Sequence, residues 1–559
     1  VVIPSMLAST RHIEDLIEAL EVRYLANLDQ NLHFCLLTDF LDAKEETMPD
    51  DKVLLQVARL GIETLIEKYR DTKGGQFFLL HRPRQWNPNE KVWMGYERKR
   101  GKLIELNSFL RGGAKDRFSL IIGNAEILQK IKYVITLDTD TQLPRDSARQ
   151  CVGAIAHPLN CAQYNEERRC ITGGYGVLQP RVDLSLPGSN RSWYARFCSG
   201  EPGIDPYTRV VSDIYQDLFG EGSFIGKGIY NVDVFNQVLD GRFPENRILS
   251  HDLLEGCYAR AGLLSDVQLY EEYPSRYSSD VSRRHRWVRG DWQIASWLLP
   301  HVPSFSNQRE KNPLSRLSKW KIFDNLRRSL IPSTLMLLFL LGWMVLSPPW
   351  FWSLAIIGIL LIPSLISLVF EIFRKPKDVL FLQHLISTFH LNVKRFIQAA
   401  FTLIFLPYEA FFNLDAILRT AWRLLVTHQK LLEWNPSSNL HFNASSLVTH
   451  YREMWVAPVS AFAIVTYLVF YKPAMLLVAG PMLTVWFVSP IIAWWISRPL
   501  IPRPHQFTAK QTIFLRKLSR KTWAYFENCV SIENHWLPPD NYQEHLTEAV
   551  AHRTSPTNI

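Results

Sequence analysis

Apolar residues are distributed unevenly along the chain. Across residues 1–300, short apolar runs typical of strands alternate with longer segments whose apolar residues recur at helical spacing. The predicted strands are Val1–Leu7, His33–Thr38, Gln76–His81 and Tyr133–Leu137, and the predicted helices are Arg11–Asn27, Lys52–Tyr69 and Lys102–Leu110. This alternation predicts an α/β fold with a mostly parallel sheet, in which ligands bind at the carboxyl ends of the strands.

Long apolar segments follow in two pairs, each close to the roughly 20 residues with which a helix crosses a bilayer. The pairs are Leu330–Ser347 with Trp350–Phe370, and Trp455–Tyr471 with Pro473–Ser497. Between them, Leu380–Phe412 is apolar but interrupted by charged residues and His384, which predicts interfacial helices lying along the membrane. A broken fifth span over Phe396–Phe412 is the alternative. We therefore expect a membrane protein with about four spans.

Three regions are expected on this basis. They are a head over 1–318, transmembrane and interfacial helices over 319–500, and a cytoplasmic segment over 501–559 that leads into a further domain. Basic residues flank the apolar pairs, whereas the two short turns within the pairs hold only Lys472. The positive-inside rule then places the head, the middle region and the tail of this multi-pass protein in the cytoplasm. The chain starts at Val1 without methionine and its end closes no element, so a piece of a longer polypeptide is expected.

Composition and net charge exclude several classes of protein and of binding partner. Of 559 residues, 47% are hydrophobic and 21% are charged, which excludes a disordered or collagen-like protein. The net charge is +9, but the basic residues lie beside the apolar segments rather than in a stripe with aromatic residues. The expected partner is therefore a lipid bilayer and no nucleic acid. The seven cysteines form no CxxC pattern, so neither a zinc knuckle nor a redox pair is predicted.

The strongest chemical signal is an apolar strand that ends in Asp138-Thr139-Asp140. Two carboxylates at the tip of a strand are hard oxygen ligands that suit Mg²⁺ or Mn²⁺, and such an ion neutralises a diphosphate. An Asp-x-Asp is also common in solvated turns. The assignment therefore depends on other parts of the sequence.

Three further segments could contact a nucleotide. Asp39 ends the second predicted strand and could accept hydrogen bonds from a nucleoside, with a helix N-cap as the alternative. The glycine-dense run 219–228 fits either a close approach of the backbone to a ligand or a plain turn. Basic residues around Gly101 predict either a cationic loop for phosphate or a solvated run of charge. They are Arg98, Lys99, Arg100 and Lys102.

Two later motifs supply candidate reaction chemistry. Asp252 is a candidate general base that would deprotonate a sugar hydroxyl, with a helix cap as the alternative. Arg286 and Trp287 offer a cation for a diphosphate and an aromatic platform for a sugar ring. We expect His251 and His285 to be hydrogen-bonding neighbours rather than metal ligands.

The order of these motifs resembles that of the processive inverting glycosyltransferases of the cellulose and chitin synthase type, which carry D, DxD, TED and QxxRW before membrane helices. This chain departs from that pattern twice, because His251-Asp252 stands where Glu-Asp is usual and Arg283 stands where Gln is usual. Two longer runs, 217–230 and 551–559, are similar to the cyclic β-1,2-glucan synthases. That similarity extends over essentially the whole chain.

The resemblance implies a GT-A-like domain that transfers glucose from UDP-glucose, with inversion, to extend a β-1,2-glucan. Mapped onto this sequence, Asp39 would bind the uridine part, and Asp138 and Asp140 would hold Mg²⁺ or Mn²⁺ with the diphosphate. Asp252 would be the base. The residues expected to hold the diphosphate or the acceptor sugar are Arg100, Lys102, Arg286 and Trp287. Inversion needs a single displacement, so one base suffices.

The family is also understood to build its glucan on the protein itself. Tyr207, beside Pro and Gly in a predicted loop, is the candidate attachment point, and Gly226, Lys227 and Trp287 are candidates on the acceptor side. Other tyrosines compete with Tyr207, namely Tyr175, Tyr215 and Tyr273. Two rival functions stay open at this point. One is a synthase for another sugar or linkage, and the other is a non-catalytic module for glucan export or scaffolding.

Overall fold

The fold is that of a computed structural model. It describes residues 1–72, 74–113, 115–185, 188, 190–199, 213–305, 308–375, 379–434, 446–500, 507–543, 550–551 and 553–554. The chain forms two compact units, Val1–Leu500 and Ile501–Ile559. Tyr207 lies outside the described residues, as does most of the run 551–559. The prediction for Tyr207 therefore stays a prediction.

An eight-stranded sheet forms the centre of the head, and it confirms the predicted α/β fold. Its strands in chain order are β1 (Val2–Leu7), β2 (Phe34–Phe40), β3 (Phe77–Arg82), β4 (Leu120–Ile122), β5 (Tyr133–Thr136), β6 (Val177–Leu184), β7 (Gly228–Asn231) and β8 (Ala261–Glu271). Each predicted strand is present, with ends that differ by one or two residues. The GT-A type of this fold stays a prediction.

The order across the sheet is β8-β6-β7-β5-β1-β2-β3-β4. Strands β1, β2, β3 and β5 run parallel, as do β6 and β8, whereas β7 is antiparallel to β5 and β6, and β4 is antiparallel to β3. The start of β7 therefore lies at the same edge of the sheet as the ends of β5, β6 and β8. This edge collects the candidate site.

Helices cover both faces of the sheet. The main helices of the head are α1 (Thr10–Ala26), α2 (Asp51–Lys68), α3 (Arg98–Leu110), α4 (Ser147–Ala156), α5 (Asp252–Ala259) and α6 (Tyr277–Gln293). Further helices cover Ala125–Leu128, Trp193–Cys198, Ile214–Phe219 and Val232–Leu239. Small two-stranded sheets pair Gln85–Asn87 with Val92–Met94, Gln163–Asn165 with Cys170–Gly173, and His301–Pro303 with Arg309–Lys311.

Alternate residues of each strand enter two separate cores, as the period-two geometry of a strand requires. Leu36 and Leu79 face α1, α2 and α4 in one core. Leu37 and Leu80 face α3 and α5 in the other. All four leucines are fully buried. Burial on both faces fixes the strand register, because a slip of one residue would exchange the two apolar sets.

The membrane region contains α7 (Arg316–Met344), α8 (Pro349–Phe373), α9 (Phe381–Trp422), α10 (Val456–Tyr471) and α11 (Leu476–Ile496), with a short helix at Leu447–Glu453. Among the described residues, four helices are long and apolar enough to cross a membrane. They are Arg316–Met344, Pro349–Phe373, Phe381–Thr427 and Pro473–Ile496. A fifth is possible if Leu447–Glu453 and Val456–Tyr471, which meet at 66°, form one broken span. The number equals the predicted one, but the set differs, because the predicted span Trp455–Tyr471 does not qualify by itself and Phe381–Thr427 does.

The segment between the two apolar pairs differs from the prediction. In place of interfacial helices over Leu380–Phe412, the structure has one helix, α9, of 42 residues that meets the length and composition of a span. Its charged residues have partners within the protein. Arg395 lies 2.9 Å from Glu371 of α8, and Glu409 lies 2.9 Å from Arg284 of α6. The charged residues of Leu380–Phe412 suggested a helix in contact with water, because their partners lie far away in the chain and the local sequence does not reveal them.

The second unit contains α12 (Ala509–Cys529), which begins at a capping box formed by Thr508 and Gln511. A short 3₁₀ helix follows at Ile532–Asn534. Most side chains of α12 are exposed.

Candidate active site

Three carboxylates meet at the carboxyl edge of the sheet. Asp138 and Asp140 follow β5 directly, and Glu271 is the last residue of β8. One oxygen of each lies within 4.8 Å of the others. Sequence analysis missed Glu271, because β8 was not among the predicted strands. The acidic pair Glu271-Glu272 at the end of an apolar run was the available signal.

Two lysines bind these carboxylates. The ammonium of Lys227 contacts Glu271 and lies 3.2 Å from Oδ2 of Asp138. Lys99 donates to Oδ1 of Asp138 at 2.7 Å and to the carbonyl of Gly226 at 2.9 Å. Lys227 arrives there because β7 runs antiparallel to β5 and pairs Gly228 with Thr136. The residue before β7 is therefore beside the residues that follow β5.

These contacts set the ionisation of the cluster. Burial opposes the charge on Asp138, but Lys99 and Lys227 outweigh it and hold the pKa of that carboxyl well below its usual range. Burial likewise opposes the charge on Lys227, and Glu271 and Asp138 reverse the effect, so the pKa of the ammonium is raised. Asp138 is thus a carboxylate and Lys227 a cation throughout the physiological pH range.

The basic residues around Gly101 do not form the predicted cationic loop. They occupy the first turns of α3, and a helix turns about 100° per residue, so neighbouring side chains point in different directions. Arg98 pairs with Asp42 at 2.5 Å and Arg100 pairs with Glu97 at 2.5 Å. Of this group, Lys99 contacts Asp138, whereas Arg100 is buried against Glu97, the carbonyl of Pro244 and the ring of Phe243. The prediction included Lys99 in the candidate phosphate loop but selected Arg100 and Lys102 as the residues that contact the diphosphate.

Asp39 and Lys102 belong to a buried ion cluster. Both oxygens of Asp39 accept hydrogen bonds from Arg82 at 2.8 Å, and Lys102 lies 3.2 Å from Oδ2. Arg82 also donates to Glu105 at 2.7 Å. Asp39 is 1% exposed, and it lies inside β2 rather than at the start of α2, which excludes the helix N-cap. Its carboxylate is at the predicted edge of the sheet, but its oxygens are engaged by Arg82 and Lys102.

Asp252 lies against the glycine-rich run. A Cβ placed on Gly226 would be 2.4 Å from Oδ1 of Asp252, and Gly226 has φ +85°, a region that favours glycine. Glycine is therefore needed at this position for two separate reasons. Since Gly226 also accepts from Lys99, the candidate base and the Asp138 cluster lie on either side of one glycine.

His251 lies near the Asp252 carboxylate, which also lies against Gly226. Its Nδ1 is 2.9 Å from Glu255 and 3.6 Å from Asp252. Burial lowers the pKa of His251, but attraction to Glu255 and Asp252 is larger, and the net shift is upward. His251 occupies the N-cap position of α5 and Asp252 is the first residue of that helix. The ring of His251, Asp252 and Glu255 have ligand atoms within 4.8 Å of one another, and Nδ1 of His251 makes no hydrogen bond of good geometry within the part of the chain that the structure describes. The prediction that His251 is a hydrogen-bonding neighbour therefore stays a prediction.

Helix α6 carries the Arg and Trp residues of the last motif. The guanidinium of Arg283 lies 4.6 Å from the ring centre of Trp287 and pairs with Asp280 at 2.9 Å. Arg286 lies 5.6 Å from the ring centre of Trp434, and the ion pairs of the described residues do not include it. Burial, followed by repulsion from Arg283, lowers the pKa of Arg286 to about 10, and Asp138 attracts it. Arg286 is thus a cation near Asp138, and it forms no ion pair with a carboxylate among the described residues.

The comparisons with known proteins agree with the predicted resemblance. No family model matches the chain. Over 565 aligned residues, the chain is 40% identical to the cyclic beta-(1,2)-glucan synthase NdvB of Rhizobium meliloti (strain 1021). The alignment covers 100% of this chain and 20% of that protein, so the chain spans about a fifth of the relative's length. Along its whole length, the chain is accordingly a homologue of one part of a cyclic β-(1,2)-glucan synthase.

Proposed function

We propose that this chain is a membrane-bound inverting glucosyltransferase that transfers glucose from UDP-glucose to a growing β-1,2-glucan. The observation that carries the proposal is the position of Lys99, which donates both to Asp138 and to the carbonyl of Gly226. Gly226 in turn contacts Asp252. A carboxylate suited to a diphosphate site and a carboxylate suited to a general base are therefore held side by side. The similarity to a cyclic β-(1,2)-glucan synthase supports glucose and the β-1,2 linkage.

Asp138, Asp140 and Glu271 are the residues that would hold Mg²⁺ or Mn²⁺. Three clustered carboxylates are the hard donor set that both ions prefer, so the residues present fit such an ion. When bound, the ion would neutralise the diphosphate of the donor. Lys99 and Lys227 supply positive charge to the same carboxylates, and both lysines are close enough to contact a diphosphate that enters the cluster.

Asp252 would act as the base. A hydroxyl of the acceptor sugar gives its proton to the Asp252 carboxylate while its oxygen bonds to the anomeric carbon of glucose. The bond from that carbon to the diphosphate oxygen breaks in the same step, and UDP leaves with the electron pair. His251, whose Nδ1 lies 2.9 Å from Glu255 and 3.6 Å from Asp252, would fix the position of the Asp252 carboxylate before the transfer.

Arg286 would bind the leaving diphosphate and Trp287 would contact the acceptor sugar. The role of Arg286 is supported by its position near Asp138 without a carboxylate partner among the described residues. One face of the Trp287 ring lies against Arg283, so a sugar would use the other face. Both oxygens of Asp39 are engaged by cations, so Asp39 would contribute to nucleoside binding indirectly, by holding Arg82 and Lys102 in place.

The head would lie in the cytoplasm of a bacterial-type inner membrane. Positive residues precede the first span and follow the last one, which is the distribution expected for cytoplasmic flanks. In that orientation the head has access to cytosolic UDP-glucose. Helix α7 joins the two regions directly, because Lys321 near its start pairs with Glu221 of the head at 2.9 Å.

Incorporation of labelled glucose from UDP-glucose tests the proposal. Membranes that contain the full-length protein would be incubated with Mg²⁺ or Mn²⁺, and the linkage of the polymer would be determined. We expect a β-1,2-linked product that Asp252→Asn abolishes while UDP binding is kept. Asp233→Asn, at an exposed carboxylate paired with Arg111, is the control and should leave the yield unchanged.

Other results of this experiment would favour one of the two rival functions, a synthase for another sugar or linkage or a non-catalytic module. A polymer with another linkage, or incorporation from another sugar nucleotide alone, would replace the donor or the linkage in the proposal. UDP binding that depends on the metal, without incorporation from any donor, would favour a non-catalytic module.

A further inference from the structure

Helix α12 has two chemically different faces. With 3.6 residues per turn, Phe514, Leu515, Leu518 and Phe526 fall on one side that spans about 120°. Arg516, Lys517 and Arg520 lie on the opposite side, whereas Lys510 and Lys521 lie at the edge of the apolar side, within about 40° of Phe514. Of the exposed apolar residues on this helix, Ile513 lies on the basic side and Trp523 at its border.

The apolar face has no cover within the described residues. Phe514 is 65% exposed and Leu518 is 50% exposed, and the other members of the face are also exposed. Leaving several large apolar side chains in water is unfavourable, and contiguous apolar patches of this kind mark interaction sites. Thr508 and Gln511 cap the first turn and stabilise the start of the helix.

We propose that α12 lies in the interface of the membrane, with its apolar face among the acyl chains and its basic face toward anionic lipid headgroups. Opposed apolar and Lys/Arg faces on one helix are the pattern of helices that lie on membranes. The positive charge of the polar face matches the negative surface of a bilayer rich in anionic lipid. Trp523, at the border of the two faces, is a residue enriched at the boundary between membrane and water.

The position of α12 in the chain favours a membrane over another occupant. The last candidate span ends at Ile496 and α12 begins at Ala509, so a short connection tethers the helix to a segment suited to the bilayer. Tethering turns the contact with lipid into an intramolecular event with a high effective concentration, for which modest affinity suffices. The segment Leu380–Phe412, for which interfacial helices were predicted, belongs to a candidate span, and the interfacial element that we propose follows the last candidate span.

Collisional quenching on the full-length protein tests this inference. A fluorescent amino acid is introduced at Leu518, on the apolar face, or at Arg520, on the basic face, and the protein is reconstituted in bilayers with anionic lipid. Both side chains are exposed, so neither label disturbs a packed core. The quenchers are a lipid with a nitroxide near the headgroup and aqueous iodide.

We expect the Leu518 label to be quenched severalfold more by the nitroxide lipid than the Arg520 label, and severalfold less by iodide. Bilayers without anionic lipid, or 1 M salt, should reduce the difference, since salt screens the attraction to the headgroups. Free access of iodide to the Leu518 label in anionic bilayers would overturn the inference. Protection of that label from both quenchers, in bilayers and in detergent alike, would also overturn it and would identify protein as the occupant.

Discussion

Glu409, in the apolar helix α9, lies 2.9 Å from the guanidinium of Arg284 in α6. Arg284 also pairs with Asp280 at 2.8 Å and lies over the ring of Phe412. One residue further along α6, His285 lies 2.9 Å from Asp415 of α9. The helix that carries Arg286 and Trp287 is thus fixed to a candidate membrane span by the neighbouring side chains Arg284 and His285.

Glu409→Gln should reduce glucosyl transfer by about tenfold, which corresponds to about 1.4 kcal/mol. The change removes a charge that fixes Arg284 and leaves a poorly exposed guanidinium with one partner fewer, so the orientation of α6 is less defined. The measurement is the rate of incorporation at saturating and limiting UDP-glucose. Glu63→Gln removes an exposed pair with Arg59 on α2 and is the control, because such surface pairs contribute little. Equal rates for the two variants would show that this contact does not position α6.

Gly226→Ala should lower transfer by about a hundredfold, the effect expected when a reacting group is displaced by about 1 Å. The added Cβ would approach Oδ1 of Asp252 to 2.4 Å, and the backbone has φ +85°. Gly112→Ala is a matched control, since Gly112 also has φ +85° but a Cβ there meets nothing within 4 Å. Gly112→Ala should cost about 1 kcal/mol of stability and keep its activity. If both variants lose activity equally, backbone strain rather than contact with Asp252 is the cause.

Glu271→Gln and Lys227→Gln should change metal affinity in opposite directions. Removing the Glu271 carboxylate takes away a ligand and should weaken Mn²⁺ binding by about tenfold, or about 1.4 kcal/mol. Removing the Lys227 ammonium relieves a positive charge beside Asp138 and Glu271 and should strengthen it. Titration followed by the electron paramagnetic resonance of free Mn²⁺ measures both.

Glu272→Gln is the control for this pair, because the neighbouring carboxylate is more exposed and pairs with Arg191. Binding of Mn²⁺ to Glu272→Gln should match the unchanged protein. Wild-type affinity in Glu271→Gln would remove Glu271 from the metal site.

The head should lose stability as the pH falls from about 6.5 to about 4, in part through His81. Burial lowers the pKa of His81 to about 4 although Asp39 attracts the proton, and the ring shares a hydrogen bond of 2.8 Å with Thr38. The unfolded chain takes up a proton below about 6.5 and the folded chain does not, so protons favour unfolding in this window. The contribution of His81 to the free energy of unfolding is fully present above about pH 6.5 and amounts to roughly 3 kcal/mol.

Thermal unfolding in detergent at pH 7 and pH 4.5, followed by tryptophan fluorescence, measures this effect. His81→Gln removes the titrating ring, so its midpoint should fall less between the two pH values than that of the unchanged protein. Equal losses would assign the pH dependence to the carboxylates of the head.

The position of Lys99 illustrates where prediction from the sequence stopped. Asp138, Asp140 and Asp252 were predicted as site residues because a strand or helix boundary beside an acidic residue is visible in the local pattern. Lys99 and Arg100 are neighbours with similar side chains, and the prediction selected Arg100. The phase of α3 decides that Lys99 contacts Asp138 and that Arg100 contacts Glu97. Glu271 was missed because it belongs to a strand more than 120 residues away in the chain, whose neighbours in the sheet no local pattern reveals.

The alternation of strands and helices, the apolar segments and the local motifs could be predicted from the sequence, because they follow from the spacing and chemistry of residues close together in the chain. Which charged side chains contact one another became visible in the folded protein alone. The antiparallel β7 brings Lys227 to Asp138. The packing of α6 on α9 pairs Glu409, whose charge suggested a water-facing helix, with Arg284 inside the protein. The physical reason is that an ion pair depends on distance in space, which the sheet order and the helix packing fix and the spacing along the chain does not.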